Sequence, residues 1–324
     1  MTKVLLLDPS IYNDGNSPNV GDLIISRAVV KQLKSIFGEG CEIIRRSSHS
    51  YLKWSDRGMF KKVDHVFVGG SNLLWFRMFP PASFKVGLTG MLYYRNLVLF
   101  GVGWGSYEMG SKGFWSKYIA NKILSKNHNH STRDRMTANK LKTDLGFENV
   151  VNTVCPTLWF LVEGEEYKYR STKGKKCVFS LTDYDKDPEK DSFLIKTLME
   201  NYGPENVIFW PQGKGDQKYV ETLGYKGKSI KRDLESLIAY YKQGDELDYI
   251  GTRLHAGILA LEFHVRTLII EIDNRAKEIA RDTGLPTISR SNLQNLNGMI
   301  QSFETNITLP AKKITDWKNQ FSQK

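Results

Sequence analysis

Cysteine is scarce in this chain of 324 residues. The three that occur, Cys41, Cys155 and Cys177, are widely spaced and form no Cys-x-x-Cys pair. Their odd number and spacing argue against a disulfide framework and against a zinc knuckle. We therefore expect a protein of a reducing compartment, the cytoplasm.

Long apolar runs are also missing. No stretch approaches the roughly 20 apolar residues that a membrane-spanning helix needs. The apolar stretch near the N-terminus is short and ends at Asp8 and Pro9, which predicts a first core strand and not a signal peptide. Apolar residues still make up 40% of the chain, which indicates a folded protein and not a disordered one.

Acidic residues are outnumbered, with 35 Asp and Glu against 46 Lys and Arg and a net charge of +11. This surplus favours anionic partners such as phosphorylated metabolites and anionic lipid head groups. The basic residues are scattered, and the sequence holds no RNP-like motif, zinc finger or basic-region heptad. We therefore predict no nucleic-acid partner. Peripheral contact with the inner face of the cytoplasmic membrane and a merely solvated basic surface both stay open.

Short apolar runs typical of strands alternate with helical patterns along most of the sequence. This alternation predicts βαβ units and parallel sheets, an α/β fold. The polar stretch 163–176 interrupts it and is our candidate linker. We predict an N-terminal domain of residues 1–165 and a C-terminal domain of residues 166–324, facing each other across a cleft. The helical tail at 314–321 is expected to pack back on the first domain.

The sharpest candidate for chemistry is the segment 251–256, Gly-Thr-Arg-Leu-His-Ala, where a predicted strand ends and a helix begins. Ligands of open α/β sheets collect at the carboxyl ends of strands, and a helix N-terminus favours an anion. Arg253 offers a planar fork for a carboxylate or phosphate, and His255 titrates near neutrality. The alternative is that Arg253 pairs with a local acid and His255 caps the helix.

Glycines and aromatic residues follow two other predicted strands. The glycines of 101–105 match part of a dinucleotide fingerprint, but no clear helix start follows them. They indicate instead a turn that makes room for a ligand or for the backbone. The aromatic residues Trp75, Phe76, Phe79 and Trp104 could stack on a sugar or belong to the core.

Two patterns suggest metal binding and fall short of it. His128 and His130 could share one face of a strand, but no third ligand is evident. The acidic stretch 183–187 begins like a calcium loop, yet Pro188 and Leu194 occupy the positions of the required glycine and glutamate. Its Asp-x-Asp is also similar to the metal-binding motif of some glycosyltransferases, with a solvated loop as the alternative. We predict no metal and no organic cofactor.

Taken in order, the short motifs resemble those of the polysaccharide pyruvyl transferase family. Arg253-Leu-His255-Ala, followed by an apolar helix, a second strand and a helix start bearing Lys277, is similar to the family's C-terminal signature. The other matching segments are Asn19–Asp22, Gly69–Leu73, Gly101–Gly105, Thr132–Asp134 and Trp210–Gly213 with Asp216. One departure is Cys155-Pro156, where the family often has Asp-Pro.

The resemblance implies two Rossmann-like domains in a GT-B-like arrangement. It also implies transfer of an enolpyruvyl-derived group from phosphoenolpyruvate to two hydroxyls of a sugar, with the acceptor on the first domain and phosphoenolpyruvate on the second. The acceptor would be a unit of a bacterial surface polysaccharide on a lipid or nucleotide carrier. A nucleotide-sugar glycosyltransferase and a non-catalytic sugar- or anion-binding module are the alternatives.

The same resemblance suggests roles for individual residues. His255 would protonate the enol methylene as a general acid. Asp22 would take the proton of the attacking hydroxyl, or it is simply a helix-start carboxylate favoured by the helix dipole. The residues expected to bind substrate are Asn19, Gly21, Gly70, Ser71, Asn72, Gly103, Arg133, Arg253 and Lys277.

Overall fold

The structure is a computed structural model. It describes residues 1–12, 15–74, 83–105, 107, 114–164, 167–244 and 246–322. Its strands are β1 Lys3–Asp8, β2 Ile11–Tyr12, β3 Gly15–Asn16, β4 Glu42–Ser47, β5 His65–Gly69, β6 Leu97–Phe100, β7 His130–Thr132, β8 Val150–Asn152, β9 Lys176–Ser180, β10 Val207–Phe209, β11 Lys228–Ser229, β12 Leu247–Gly251, β13 Arg266–Glu271 and β14 Thr287–Ser289.

Helices alternate with these strands, and short 3-10 helices add turns at Trp54–Lys61, Pro156–Leu158, Pro204–Asn206 and Arg290–Asn295. The α-helices are α1 Val20–Phe37, α2 Gly87–Tyr93, α3 Phe114–Ile123, α4 Arg135–Leu145, α5 Phe160–Glu163, α6 Pro188–Tyr202, α7 Asp216–Thr222, α8 Leu234–Tyr241, α9 Leu254–Glu262, α10 Asn274–Thr283, α11 Leu296–Gln301 and α12 Ala311–Asn319. In the part of the chain that the structure describes, no helix is long and apolar enough to cross a membrane.

The chain divides into two compact units. The first holds residues 1–17, 25–159 and 309–324, and the second holds residues 18–24 and 160–308. The first turn of α1 therefore belongs to the second unit, and the tail with α12 belongs to the first. The domains at 1–165 and 166–324, with the substrate assigned to each, stay a prediction.

The first unit contains a four-stranded parallel sheet in the order β4-β1-β5-β6. A bridge between Val102 and Thr132 places the parallel pair β7-β8 next to the end of β6. Both faces of β1 are buried. Its residues Val4 and Leu6 pack with α1 and α12, whereas Leu5 and Leu7 pack with α3 and α4. Burial on both faces explains why this strand is a continuous apolar run.

The second unit contains a six-stranded parallel sheet in the order β11-β10-β9-β12-β13-β14. Relabelled along the chain, this order is 3-2-1-4-5-6, that of the Rossmann fold. The strand order reverses between β9 and β12. In such sheets ligands bind beyond the carboxyl ends of the strands at this reversal. The α/β fold with parallel sheets predicted from the sequence is confirmed.

Candidate functional site

Polar side chains collect beyond the carboxyl ends of four strands of the second unit. Asp183 follows β9, Asp216 follows β10 at the start of α7, Arg253 follows β12, and Asp273 follows β13 and caps α10. Because β9 and β12 flank the reversal in strand order, Asp183 and Arg253 approach each other from the two strands that border it. The position agrees with the general location of ligand sites in this fold.

Arg253 is buried and engages two carboxylates. Its Nε donates to Oδ2 of Asp216 at 3.0 Å, and its Nη2 donates to Oδ1 of the same carboxylate. Nη2 also lies 3.5 Å from Oδ1 of Asp183. Arg253 therefore pairs with carboxylates that lie 37 and 70 positions away along the chain. Nη1 makes no hydrogen bond to the described residues, so one side of the fork keeps its donors.

Asp216 also organises the loop that precedes it. Its Oδ2 accepts from the backbone N–H groups of Gln212 at 3.0 Å and Gly213 at 2.7 Å, and its Oδ1 accepts from the backbone N–H of Asp183 at 3.1 Å. A Cβ on Gly213 would lie 2.6 Å from Nη2 of Arg253. A side chain at position 213 would therefore displace the arginine.

The Gln212 side chain extends this network to the segment 19–22. Its Nε2 donates to Oδ1 of Asn19 at 2.8 Å, and its backbone carbonyl accepts from Val20 at 3.1 Å. Asn19 Oδ1 also accepts from the backbone of Gly21 at 3.1 Å, which is the geometry of a helix N-cap. A Cβ on Gly21 would lie 2.6 Å from Nε2 of Gln212. Glycine at this position therefore permits the close approach.

Tyr184 lies between two arginines. Its ring centroid is 5.1 Å from Cζ of Arg253 and 5.8 Å from Cζ of Arg275. Arg275 is also paired with Asp273 at 2.5 Å. Burial alone would lower the pKa of Arg275, but the neighbouring Tyr184, Asp273 and Asp22 outweigh it and raise that pKa. Asp22, in the first turn of α1, therefore acts on the same group of charges.

His255 is the second residue of α9 and is buried, with 4% of its surface exposed. The backbone carbonyl of Arg253, the residue that caps this helix, accepts a hydrogen bond from the hydroxyl of Tyr249 at 2.8 Å. That hydroxyl also bonds to Ser180 Oγ at 2.5 Å. These two hydrogen bonds connect the start of α9 to β9 and β12.

Three buried polar atoms near this sheet edge have no hydrogen-bond partner among the described residues. They belong to residues that lie within three positions of the ends of β9 and β10: Thr182 Oγ1, Trp210 Nε1 and Gln212 Oε1. Buried polar groups are paired in most folded proteins, so each exception calls for a reason. Unmet bonding capacity at the strand ends is what a polar ligand site provides.

Lys277 lies apart from this network. It is the fourth residue of α10 and is exposed. The structure records no hydrogen bond or ion pair between Lys277 and the other described residues. Among the cations at the start of α10, Arg275 is the one that lies beside Tyr184 and Asp273.

In the first unit, the glycine-rich end of β5 has the backbone of a tight turn. Gly70 and Ser71 both have positive φ values, 65° and 62°. A Cβ on Gly70 would lie 2.2 Å from Cγ2 of Ile25. The carbonyl of Ser71 accepts from Gly103 N at 2.8 Å, and Oδ1 of Asn72 is buried without a partner in the described part of the chain. This turn therefore lies against the second glycine-rich segment.

Arg133 is buried in the same unit, 1% exposed. Its Nε and Nη2 are each 3.3 Å from Oδ2 of Asp134, and Nη1 has no partner among the residues that the structure describes. A Cβ on Gly103 would lie 2.3 Å from the guanidinium, so glycine is needed there to accommodate it. Burial raises the pKa of the adjacent Cys155 thiol, which stands where the family often has Asp. Arg133 therefore has no second carboxylate from that position.

The two histidines considered as metal ligands make hydrogen bonds and ring contacts within the first unit. The backbone N–H of Leu99 donates to Nδ1 of His130 at 3.2 Å, so its Nε2 carries the proton donated to Ser125 O at 3.0 Å. Burial lowers the pKa of His130 to about 4. The ring of His128 stacks on Phe321 with a centroid distance of 5.3 Å. Within the described ranges, no group of three or more acidic, His or Cys residues is arranged to hold a metal.

The acidic stretch 183–187 is divided among three roles. Asp183 contacts Arg253, Asp185 lies 3.5 Å from Arg290, and Asp187 caps α6. Trp104 is buried in the core of the first unit. The other aromatic residues proposed to stack on a sugar, Trp75, Phe76 and Phe79, lie outside the described residues.

Tyr184 and Arg275 are the site residues that the sequence reasoning missed. Asp273-x-Arg275 stands at the end of the strand that follows Arg253-x-His255 along the chain, and that repeated position is the signal that could have found Arg275. Tyr184 gave no such signal, since its place between two arginines depends on how three strand ends meet.

Comparisons with known proteins bear on both the fold and the family. No curated protein matches the chain. The UDP-GlcNAc 2-epimerase of Methanocaldococcus jannaschii, solved with UDP-GlcNAc and UDP, is 11% identical with a TM-score of 0.55, over 99% of this chain and 100% of that one. MnaA of S. aureus, solved with UDP, is 12% identical with a TM-score of 0.57, over 100% of this chain and 99% of that one. These likenesses show a GT-B-like, Rossmann-like fold.

The family model for polysaccharide pyruvyl transferase matches residues 19–274, well over half of the chain. The matched range runs from Asn19, at the start of α1, to the first residue of α10 and includes the Arg253–Asp216 pair and His255. The chain therefore belongs to the polysaccharide pyruvyl transferase family.

Proposed function

We propose that this transferase moves the enolpyruvyl-derived group of phosphoenolpyruvate onto two hydroxyls of a sugar, forming a cyclic ketal and releasing phosphate. One observation carries the proposal. Three motifs that are far apart in sequence, Asn19–Asp22, Gln212–Asp216 and Arg253–His255, are connected by a continuous path of hydrogen bonds in the second unit. These are the segments whose resemblance to the family is the basis for expecting this chemistry.

The site supplies guanidinium donors held in fixed positions, from which a compact polyanion can accept hydrogen bonds. Asp216 holds Arg253 in one orientation and leaves its Nη1 donors to a ligand. Arg275 lies on the same tyrosine ring, held by Asp273. The N–H groups of the first turn of α9 add donors that favour an anion. Donors fixed in advance stabilise developing negative charge without reorganising during the reaction.

His255 and Asp22 divide the proton transfers. The C3 methylene of phosphoenolpyruvate takes a proton from His255 and becomes a methyl group, while a sugar hydroxyl forms a C–O bond to C2. Asp22 accepts the proton of that hydroxyl. The second hydroxyl then displaces phosphate from C2, and its proton leaves with the phosphate. One hydroxyl proton replaces the one given to the methylene, so the reaction needs no oxidant, reductant or further reactant.

We propose that the acceptor is a sugar on a lipid or nucleotide carrier for a bacterial surface polysaccharide. Such carriers are phosphorylated, and the net charge of +11 favours them. The protein would act in the cytoplasm or at the inner face of the membrane. In the first unit, Nη1 of Arg133 and Oδ1 of Asn72 are buried atoms that make no hydrogen bond to a described residue. We assign them to acceptor binding.

The test is an assay with purified protein that follows phosphate release from phosphoenolpyruvate across a panel of sugar acceptors. Nucleotide sugars are offered in parallel, and nucleotide release is followed. Phosphate release that depends on the acceptor supports the proposal. Nucleotide release instead identifies a nucleotide-sugar glycosyltransferase. Binding of a donor without turnover identifies a non-catalytic sugar- or anion-binding module.

A further inference from the structure

A cavity of about 500 Å³ lies in the first unit, at the carboxyl end of β4. Its lining includes Arg45, Arg46, Tyr51, Lys53 and Asp56. This volume is within the range of small-molecule sites, roughly 300–1,000 Å³. None of the lining residues belongs to the motifs assigned above, and no role for the cavity follows from them.

Arg45 is built into the wall of this cavity. Its Nε lies 2.7 Å from Oδ2 of Asp8, a carboxylate with no exposed surface, and its Nη2 donates to Oγ of Ser10 at 2.8 Å and of Ser26 at 2.9 Å. The remaining nitrogen, Nη1, has no hydrogen bond to a described residue. The side chain is still 42% exposed. Its guanidinium is therefore held in a fixed orientation with one edge accessible.

The charge of the lining is mainly positive. Arg46 is exposed, donates to the carbonyl of Arg45 at 3.1 Å, and has no ion pair with a described acidic residue. Lys53 adds a third cation. The lining contains one carboxylate, Asp56, whose Oδ2 accepts from the backbone N–H of Lys53 at 3.0 Å. Guanidinium groups that line one cavity suit the oxygens of a phosphate.

An aromatic ring lies beside these cations. Tyr51 lines the cavity and is 53% exposed, with Nζ of Lys85 at 5.8 Å from its ring centroid. Tyrosine presents an apolar face together with a polar hydroxyl. A cavity that combines an exposed ring with one fixed and one exposed guanidinium group matches a molecule with a sugar ring at one end and a phosphate at the other.

We propose that this cavity binds a sugar phosphate, with the phosphoryl group on Arg45 and Arg46 and the sugar against Tyr51. This assignment rests on the proposed function. The group that binds in the cavity is the phosphorylated end of the acceptor's carrier. The site therefore selects acceptors that carry a phosphate over free glycans.

The experiment follows hydrogen exchange of the segment 42–56 in the whole protein as α-D-glucose 1-phosphate is added, with glucose as the neutral comparison. We expect protection by the phosphate and none by glucose. Arg46→Gln should weaken the binding of glucose 1-phosphate by roughly tenfold or more, the loss expected for a charge-assisted hydrogen bond. Arg46 is exposed, and so is Arg57, the position of the control variant described next. Both variants should therefore fold, and circular dichroism checks this.

Arg57→Gln is the matched control. It removes the same charge from the neighbouring 3-10 helix, but Arg57 does not line the cavity and lies over Trp54 at 5.8 Å. It should leave binding unchanged. Equal losses in the two variants would mean that net charge alone attracts the ligand, and the site would be wrong. Binding to phosphatidylglycerol vesicles that depends on Arg46, without protection by glucose 1-phosphate, would identify a lipid headgroup surface and would also overturn the proposal.

The measurement separates this inference from the proposed function because it uses no phosphoenolpyruvate. Protection of 42–56 without any phosphate release from phosphoenolpyruvate would keep the sugar-phosphate site and reject the reaction. Release of phosphate from phosphoenolpyruvate with no protection at 42–56 would keep the reaction and reject the site. If both hold, Arg46→Gln should raise the Michaelis constant of a phosphorylated acceptor and leave that of a neutral one unchanged.

Discussion

Asp216 and Arg253 form a buried ion pair in which both carboxylate oxygens accept from the guanidinium. Asp216 has no exposed surface, and the side chain of Arg253 is 5% exposed. The same carboxylate receives the backbone N–H groups of Gln212 and Gly213. A single side chain therefore fixes both the arginine of the proposed anion site and the loop that bonds to Asn19.

Replacing Asp216 tests this arrangement. Asp216→Asn leaves the buried guanidinium with only the 3.5 Å contact to Asp183 and points an N–H group at other donors. Breaking a buried pair in this way costs about 3–5 kcal/mol of unfolding free energy, which urea denaturation measures. Asp185→Asn is the control, since its pair with Arg290 spans 3.5 Å and Asp185 is half exposed. The control should cost under about 1 kcal/mol, and equal costs would contradict the role given to Asp216.

His255 and Arg253 should fail in different ways when they are replaced. His255→Gln keeps hydrogen-bonding capacity but cannot cycle a proton near neutral pH. Turnover should fall by roughly 10²- to 10⁴-fold while phosphoenolpyruvate binding changes little. Arg253→Lys keeps the charge but loses the fork, so it should raise the Michaelis constant for phosphoenolpyruvate more than it lowers turnover.

Steady-state kinetics checks both variants, after circular dichroism shows that they are folded. This control is needed because both positions are buried at the start of α9, where a substitution can act through stability alone. A folded His255→Gln enzyme with near-normal turnover would show that another group is the acid.

Tyr184 should contribute mainly through its ring. Tyr184→Phe keeps the ring between Arg253 and Arg275 but removes the hydroxyl that bonds to Arg275. Tyr184→Leu removes both. Because a cation over an exposed ring gains about 0.5–1 kcal/mol, we expect Tyr184→Leu to raise the Michaelis constant for phosphoenolpyruvate by roughly two- to fivefold more than Tyr184→Phe. Identical kinetics for the two variants would assign the effect to the hydroxyl.

Stability should fall as the pH falls below about 6.5, in part through His130. Burial is the main cause that lowers its pKa to about 4 in the folded protein, whereas the unfolded chain titrates near 6.5. Between pH 4 and pH 6.5 the unfolded state binds more protons than the folded state. The stability that the neutral His130 contributes is therefore complete above pH 6.5 and is lost as the pH falls toward 4. Between pH 7 and pH 5 the loss is about 2 kcal/mol.

Urea unfolding of the wild type and of His130→Asn at both pH values measures this contribution. The variant should be less stable at pH 7 and should show a smaller change with pH. The matched control is His264→Asn, because His264 is exposed and its φ of 63° suits asparagine. An undiminished pH dependence in His130→Asn would assign the effect to other groups, among them the neighbouring His128, whose pKa burial also lowers.

Activity is expected to need no divalent metal, since arginines are the proposed anion ligands. Treatment with a chelator, followed by removal of the chelator, should leave phosphate release unchanged. Loss of activity that one specific ion restores would defeat this prediction. It would direct attention to Asp183, which lies at the proposed site beside Arg253.

Much of the fold could be predicted because its local signals agree. The runs that form β1, β5, β6, β12 and β13 are largely apolar, as is typical of parallel strands buried on both faces, and helical patterns separate them. The segment 18–24 shows the limit of this reasoning. Its residues start a helix whose later turns pack in the first unit, yet they belong to the second unit. That assignment depends on Asn19 and Val20 meeting Gln212, which no local pattern reveals.

The sequence by itself determined that Asp183 and Arg253 stand near the carboxyl ends of strands, because the largely apolar runs that precede them predict strands ending a few residues earlier. Only the tertiary structure decided their partners. The order β11-β10-β9-β12-β13-β14 places the loops after β10, β9 and β12 side by side, so Asp216 meets Arg253 across 37 positions of sequence. A hydrogen bond requires a distance of about 3 Å. Strand order sets that distance, and spacing along the chain does not.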